Sequence, residues 1–308
     1  MKVLFVGIGS IGTRHLKNLH MVAAEQGISL EVTALRSSER SLPQEVSSLI
    51  DRQISHLDEE IYDLAFITNP TTLHYGAIKI LRDKAKFFFI EKPIFEDSIY
   101  SLSDLGLNGE NGYVACPMRY CGAYIKLKEV LQEKKVFSCR IICSSYLPGW
   151  RPTVDYRKNY SAIRALGGGV TIDLIHELDY MTDLFGLPVE SYNFKGTYSD
   201  LEVDSDDLSV YIARYKDRLC EIHLDYFGRE YRRTCEAFTK DGTITADFGA
   251  GTVTLENGEV INCQEDTNLR FIREIKNVLE IMEGKAPNIN TPEKANRVLA
   301  LTLGKEVK

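Results

Sequence analysis

The segment KVLFVGIGSIG at residues 2–12 constrains the fold more than any other part of the chain. An apolar run breaks onto three glycines spaced G-x-G-x-x-G, and a helix-like pattern follows over 11–26. After a first strand, Gly7 permits a tight turn, Gly9 lets the backbone approach a diphosphate, and Gly12 allows close helix–strand packing. Ser10 and Ile11 complete the loop. The helix N-terminus behind it presents N–H groups and the positive end of a dipole to phosphates. The alternative is a glycine-rich turn with no ligand.

Strand and helix patterns then alternate. SLEVTALR (29–36), DLAFITNP (63–70) and FFFI (87–90) read as strands, and TTLHYGAIKIL (71–81) as a helix between two of them. That spacing predicts βαβ units and a doubly wound parallel sheet of the Rossmann kind. The FFFI strand is apolar throughout, as in a sheet covered on both faces. It stops on Glu91 and Lys92 before Pro93, which cannot continue a ladder. Either the strand end is solvated, or the lysine is aimed into a cleft.

Beyond residue 117 the pattern changes. VFSCRIICSSYL (136–147), DLSVYIARYK (207–216) and RLCEIHLDYF (218–227) are long β-type runs, with hairpin signals at 240–242 and 257–258. One strong helix is expected at about 169–185 among them. These features predict an α+β domain with an open, mainly antiparallel sheet. The expected division is a dinucleotide-binding domain at 1–117, an α+β substrate and oligomerisation domain at 118–290, and a final helix at 291–308 packing back on the first. Thr291 is placed to cap that helix, with Pro292 in its first turn.

Composition narrows the function. The net charge is −7 with no block of Lys or Arg, so the basic footprint of a nucleic-acid binder is lacking. The N-terminal apolar run is too brief for a signal peptide, and no segment approaches the roughly 20 apolar residues of a membrane span. Seven scattered cysteines, none in C-x-x-C spacing, read as reduced, mostly buried thiols in a cytoplasmic protein, and no metal site is expected.

Dinucleotide choice is read at the end of the second strand. An acid there would take the ribose 2′-OH. The chain has Arg36, Ser37 and Ser38 instead, which suit a 2′-phosphate through charge-assisted hydrogen bonds. NADP is therefore favoured over NAD, although Arg36 could also be solvated and Glu39 stands close by.

In GGGVTIDLIHELDYM (167–181), one continuous helix would place Asp173, His176, Glu177 and Tyr180 together, opposite Leu174, Ile175, Leu178 and Met181. Asp173 and His176 could form a proton-transfer pair; a solvated polar face is the plainer reading of the helix alone. The preceding loop, 146–162, carries Trp150, Arg151, Tyr156, Arg157 and Tyr160. Aromatics of this kind stack on sugar faces and arginine forks a carboxylate or phosphate, but an ordinary surface loop fits as well.

Taken in order, GIGSIGTRH, ITNPTTLH, FIEKP and GGGVTIDLIHELD resemble the Gfo/Idh/MocA family of oxidoreductases. The resemblance implies that Lys92 faces nicotinamide and substrate, with Glu91 and Pro93 shaping its turn and the bond before Pro93 often cis. It implies that Thr68, Asn69, Pro70 and His74 run along the cofactor, and that Arg119 belongs to a segment near it. Asp173 and His176 match the family's catalytic pair, with His176 as general acid/base and Asp173 as its partner or a substrate ligand. Here they are three positions apart, where relatives commonly have four, and the Asn of a G-x-N-x-R segment is replaced in Ala115-Cys116-Pro117-Met118-Arg119. The loop at 146–162 is similar to a subgroup linked with bacterial surface sugars. The implied activity is hydride transfer between NAD(P) and a sugar, nucleotide sugar or polyol. A glycosidase-like enzyme that retains its NAD and a non-catalytic nucleotide sensor are the alternatives. A homo-oligomer, dimer or tetramer, is expected in each case.

Overall fold

The computed structural model describes residues 1–36 and 41–305. In chain order the elements are β1 (Lys2–Val6), α1 (Ser10–Gln26), β2 (Glu31–Leu35), α2 (Gln44–Ser47), β3 (Arg52–Ile54), β4 (Leu64–Ile67), α3 (His74–Leu81), β5 (Phe88–Ile90) and β6 (Gly112–Val114). They continue with α4 (Gly122–Leu131), β7 (Val136–Tyr146), α5 (Leu147–Trp150), α6 (Val170–Asp173), α7 (His176–Phe185), β8 (Glu190–Gly196), β9 (Leu208–Arg214) and β10 (Leu219–Asp225). The last are β11 (Phe227–Thr239), β12 (Gly242–Asp247), β13 (Thr252–Thr254), β14 (Val260–Asn262), α8 (Leu269–Met282) and α9 (Pro292–Thr302).

Two compact units result, Met1–Pro117 with Phe271–Leu299, and Met118–Arg270 with Ala300–Lys308. Nearly all of α8 thus sits in the first unit, whereas the sequence reading ran the second domain to residue 290. Its inner stripe, Phe271, Ile275, Val278 and Leu279, is buried. Thr291 caps α9 as expected, its hydroxyl accepting the Lys294 N–H at 3.3 Å.

In the first unit six strands pair in the order β3-β2-β1-β4-β5-β6, every pair parallel. The doubly wound sheet is borne out. Phe5, Phe66 and Phe89 are in register across β1, β4 and β5 and are fully buried. Phe5 and Phe66 stack at 4.4 Å and Phe66 meets Phe89 at 4.8 Å. The strand order reverses between β1 and β4, so the loops after them flank the crevice where such sheets bind ligands.

The second unit holds an eight-stranded sheet, β14-β13-β12-β11-β7-β10-β9-β8. It is antiparallel except where β10 runs parallel to β7. The helix expected at 169–185 is two helices: Leu174 leaves helical geometry at ψ 30° and α7 starts afresh at His176. The break overturns the single polar face. Glu177 is fully buried and forks Arg233 of β11 at 2.7 and 3.1 Å, while Tyr180 is buried too. Six of the seven cysteines are buried, and none is in a disulfide.

The Glu177–Arg233 pair sets a test. Arg233→Met leaves a buried carboxylate without its partner and should cost about 3–5 kcal/mol, whereas replacing both groups by apolar residues recovers most of that. Urea unfolding of the single and double variants measures this; equal losses in both would contradict it.

Candidate active site

The glycine turn after β1 is built by close contact. Gly7 has φ +93°, and a Cβ there would lie 2.9 Å from the backbone of Asn69. A Cβ on Gly12 would lie 2.4 Å from the Gly7 carbonyl oxygen and 2.8 Å from Thr68 Oγ1. The loops after β1 and β4 therefore touch through positions that only glycine can occupy. Thr68 ties them further, donating to the Gly7 carbonyl at 2.7 Å. Thr68 serves the turn, although the resemblance had it along the cofactor.

A cavity of about 940 Å³ opens beside this turn. Gly7, Gly9, Ser10, Arg36, Asn69 and Pro70 all line it, whereas Ile11 and the buried Gly12, Thr68 and His74 do not. Gly9 is the N-cap of α1 and supplies no side-chain cap, leaving the first N–H groups of a 17-residue helix for another acceptor. Asn69 Oδ1 is buried at the same wall with no hydrogen-bond partner among the described residues. The uncapped helix, the open space at Gly9 and the orphaned amide oxygen fit a dinucleotide diphosphate and its ribose. Arg36 reaches the rim, its guanidinium donating to Gln53 at 2.7 Å. Ser37, the other residue proposed for the 2′-phosphate, lies outside the described residues.

His74 has a different place from the one expected. It is buried, with Nδ1 3.0 Å from the Ile94 carbonyl and Nε2 3.0 Å from the Asn69 carbonyl. It joins the loop after β4 to the loop after β5 rather than lining the cavity. Burial pushes its pKa down, and a neutral ring donates to only one carbonyl at a time.

Lys92 is half-buried beyond β5, and the Lys92–Pro93 bond is cis. Glu91 is turned inward: Oε1 meets His15 Nε2 at 2.5 Å and Oε2 accepts the Lys92 N–H at 3.1 Å. Burial works to raise the Glu91 pKa, but His15 and Lys92 outweigh it and hold the carboxyl below its ordinary value. His15 escaped the sequence reading. A histidine on the inward stripe of a helix, with Gly12, Leu16 and Leu19, reads as ordinary core until its partner 76 positions away is known.

In the second unit Asp173 ends α6 with its carboxylate buried. Tyr160 donates to Oδ1 at 2.7 Å and Tyr226 to Oδ2 at 2.6 Å. Burial, and then the Asp173 charge, raise both phenol pKa values, so the phenols keep their protons and point them at the acid. Tyr226, between β10 and β11, was missed because nothing in the sequence around it marks a partner 53 positions away. His176 opens α7, half-buried.

The aromatic loop is mostly engaged with its own unit. The Trp150 indole donates to Ser145 at 3.1 Å and meets Tyr226 edge-on at 5.3 Å. Tyr156 Oη accepts the Glu202 N–H, and Arg157 is paired with Asp155 and Glu202. Arg151 is exposed, near enough to Tyr160 to act on its phenol. Arg119, proposed to contact cofactor, is buried and forks Asp179 at 2.7 and 2.9 Å, with Asp183 at 3.1 Å. Three of its N–H groups reach these two acids and brace α7.

Residues 124–245 match the model of the GFO/IDH/MocA C-terminal domain. That stretch of the second unit is similar to this domain. The motif resemblance is borne out there, and the fold of the whole chain agrees. Myo-inositol 2-dehydrogenase of Lactobacillus plantarum superposes with TM-score 0.77 at 18% identity, over 98% of this chain and 95% of that one. The WlbA dehydrogenase of Bordetella pertussis, solved with NADH and UDP-GlcNAcA, gives 0.79 at 14%, over 99% and 94%. Levoglucosan dehydrogenase, solved with NADH and levoglucosan, gives 0.81 at 15%, over 99% and 95%. No curated protein matches the sequence. At these identities the likeness is one of fold.

Acid should loosen the first unit. His74 and Glu91 both have folded pKa values below their ordinary 6.5 and 4.5. The unfolded chain then binds protons first, so stability is complete above those values and lost as pH falls through them. The thermal midpoint should begin to decline below about pH 6.5 and drop faster below about 4.5. His74→Gln should remove the first part of the slope; a midpoint that rises between pH 7 and 5.5 would refute the assignment.

Proposed function

We propose that the protein is a nicotinamide-dependent dehydrogenase or reductase acting on a CH–OH group of a sugar, nucleotide sugar or polyol. The observation that carries this is the cavity beside the glycine turn, where an uncapped helix N-terminus and the unpartnered Asn69 oxygen converge. A nicotinamide nucleotide bound there supplies the acceptor or donor of hydride. Gly7, Gly9 and Ser10 hold its diphosphate, and Asn69 and Pro70 border it. Arg36, with Ser37, selects the 2′-phosphate of NADP.

Lys92 holds the substrate hydroxyl and favours loss of its proton, or polarises the carbonyl in the reverse direction. His176 takes and returns the proton. Asp173 acts through Tyr160: with both carboxylate oxygens occupied by phenols, it aims the Tyr160 hydrogen inward and leaves that oxygen as an acceptor for a substrate hydroxyl. Trp150 and Arg151 belong to the same substrate loop. The likeness of that loop to enzymes of bacterial surface sugars, and the nucleotide sugar held by the WlbA dehydrogenase, support a nucleotide sugar as substrate.

Assembly through the uncovered face of the eight-stranded sheet is part of the reading. Tyr192 and Phe194 are 53% and 65% exposed there, and a concavity of about 660 Å³ crosses β7, β9 and β10. Among the described residues no helix is long and apolar enough to cross a membrane.

Two measurements test the reading. Fluorescence titration should show NADPH binding more tightly than NADH, with Arg36→Ala removing the difference; equal affinities in the native protein would sink the Arg36 assignment. In a screen of nucleotide sugars and keto-sugars, Lys92→Ala and His176→Ala should each lower kcat by about 100-fold or more with nucleotide affinity little changed. Full turnover in both variants would remove them from the chemistry.

A further inference from the structure

His15 is an odd residue for the place it fills. It is completely buried on α1, and its ring lies 4.7 Å from Phe89 and 5.9 Å from both Phe66 and Phe271. Its Nδ1 has no hydrogen-bond partner among the described residues. A leucine would fill an aromatic box of this kind without burying a bare nitrogen, and an unpartnered buried polar atom is unfavourable. The compensating contact is Nε2 with Glu91 Oε1. The other Glu91 oxygen accepts the N–H of Lys92. One carboxylate therefore runs from the helix behind the glycine turn to the backbone of the lysine.

The same turn is held at its far end by a separate bond, His74 Nδ1 to the Ile94 carbonyl. Loss of the Glu91 contact would free one end of the turn and leave the other in place.

We propose that His15 is a positioning residue: through Glu91 it fixes the backbone at Lys92, so that the helix cradling the diphosphate and the lysine acting on substrate move as one piece. The proposal rests on the reading of Lys92 given above. Glu91, left without the ring N–H, would turn toward water, because a largely buried carboxylate that loses a strong donor is better solvated there. Lys92 would then lose its backbone anchor while the strand bonds on either side remain, Glu91 N–H to Ile67 at 3.0 Å and Ala115 N–H to Ile90 at 2.8 Å.

Amide hydrogen exchange on the full chain reads this without any substrate. Gln at position 15 places an N–H where imidazole Nε2 lies, and Asn is too short to reach Glu91. His15→Asn should therefore speed exchange at the Lys92 amide about tenfold, with the Glu91 and Ala115 amides unchanged, and His15→Gln should restore it. NADH affinity should stay within about twofold in both variants, since neither alters the glycine turn. On a substrate found in the screen, His15→Asn should lower kcat on the order of 10- to 100-fold with KM for NADH unchanged.

Should His15→Asn fail to fold, Glu91→Ala replaces it. Alanine offers the Lys92 N–H no side-chain acceptor, so the Lys92 amide should again exchange faster. Unchanged exchange at Lys92, or loosening of the whole first unit to the same degree, would overturn the anchor. Faster exchange with unaltered kcat would overturn the positioning role. If instead Lys92→Ala itself retains full turnover, the reading of Lys92 fails while the anchor, seen in exchange, stands.

Discussion

A carboxylate withdrawn from water has to be met by donors, and in this protein the donors come from far along the chain. Glu177 and Glu274 are fully buried, and Asp173 and Asp179 nearly so. Glu274 accepts from the Tyr113 hydroxyl at 3.0 Å and the Cys116 N–H at 2.6 Å. Glu91 takes His15 and the Lys92 N–H, Asp173 takes two phenols, Glu177 takes Arg233 and Asp179 takes Arg119. Removing any of these donors leaves a charge with nowhere to go. The segments that carry the candidate chemistry are tied to their sheets at these points.

The ties occupy several of the polar residues that the motifs offer. Thr68, His74 and Arg119 look like ligand contacts in a motif, yet each is spent on protein. The cavity of the first unit is lined instead by the glycine turn, Asn69 and Arg36, together with Ser10, Thr13, Ser55, His56 and Thr72. In the second unit the arrangement is similar. Asp173 accepts from two phenols, and α7, which begins with His176, is braced by two buried arginine pairs.

The parallel sheet was legible because strands covered on both faces leave continuous apolar runs, and FFFI and KVLFV are such runs. The glycine turn was legible because the absence of a Cβ is itself written in the sequence: Gly7 and Gly12 are glycine for lack of any space. The hairpins at 240–242 and 257–258 were legible from turn chemistry alone. The short strands β3 and β6 were missed, since three residues carry too little pattern. The break between α6 and α7 was missed as well. Periodicity counts side chains along an assumed helix, and nothing in Leu174-Ile175 announces that the helix stops.

The long strands, the hairpin turns and the glycine turn after β1 were determined by the sequence, because each depends on neighbours within a few positions. Only tertiary structure decided which polar groups are occupied. His15 and Glu91 are 76 positions apart, and Tyr226 and Asp173 are 53 apart. No spacing rule reaches that far. A hydrogen bond forms only within about 3 Å, and the distance between two such residues is set by how strands pair and helices pack, not by their separation along the chain.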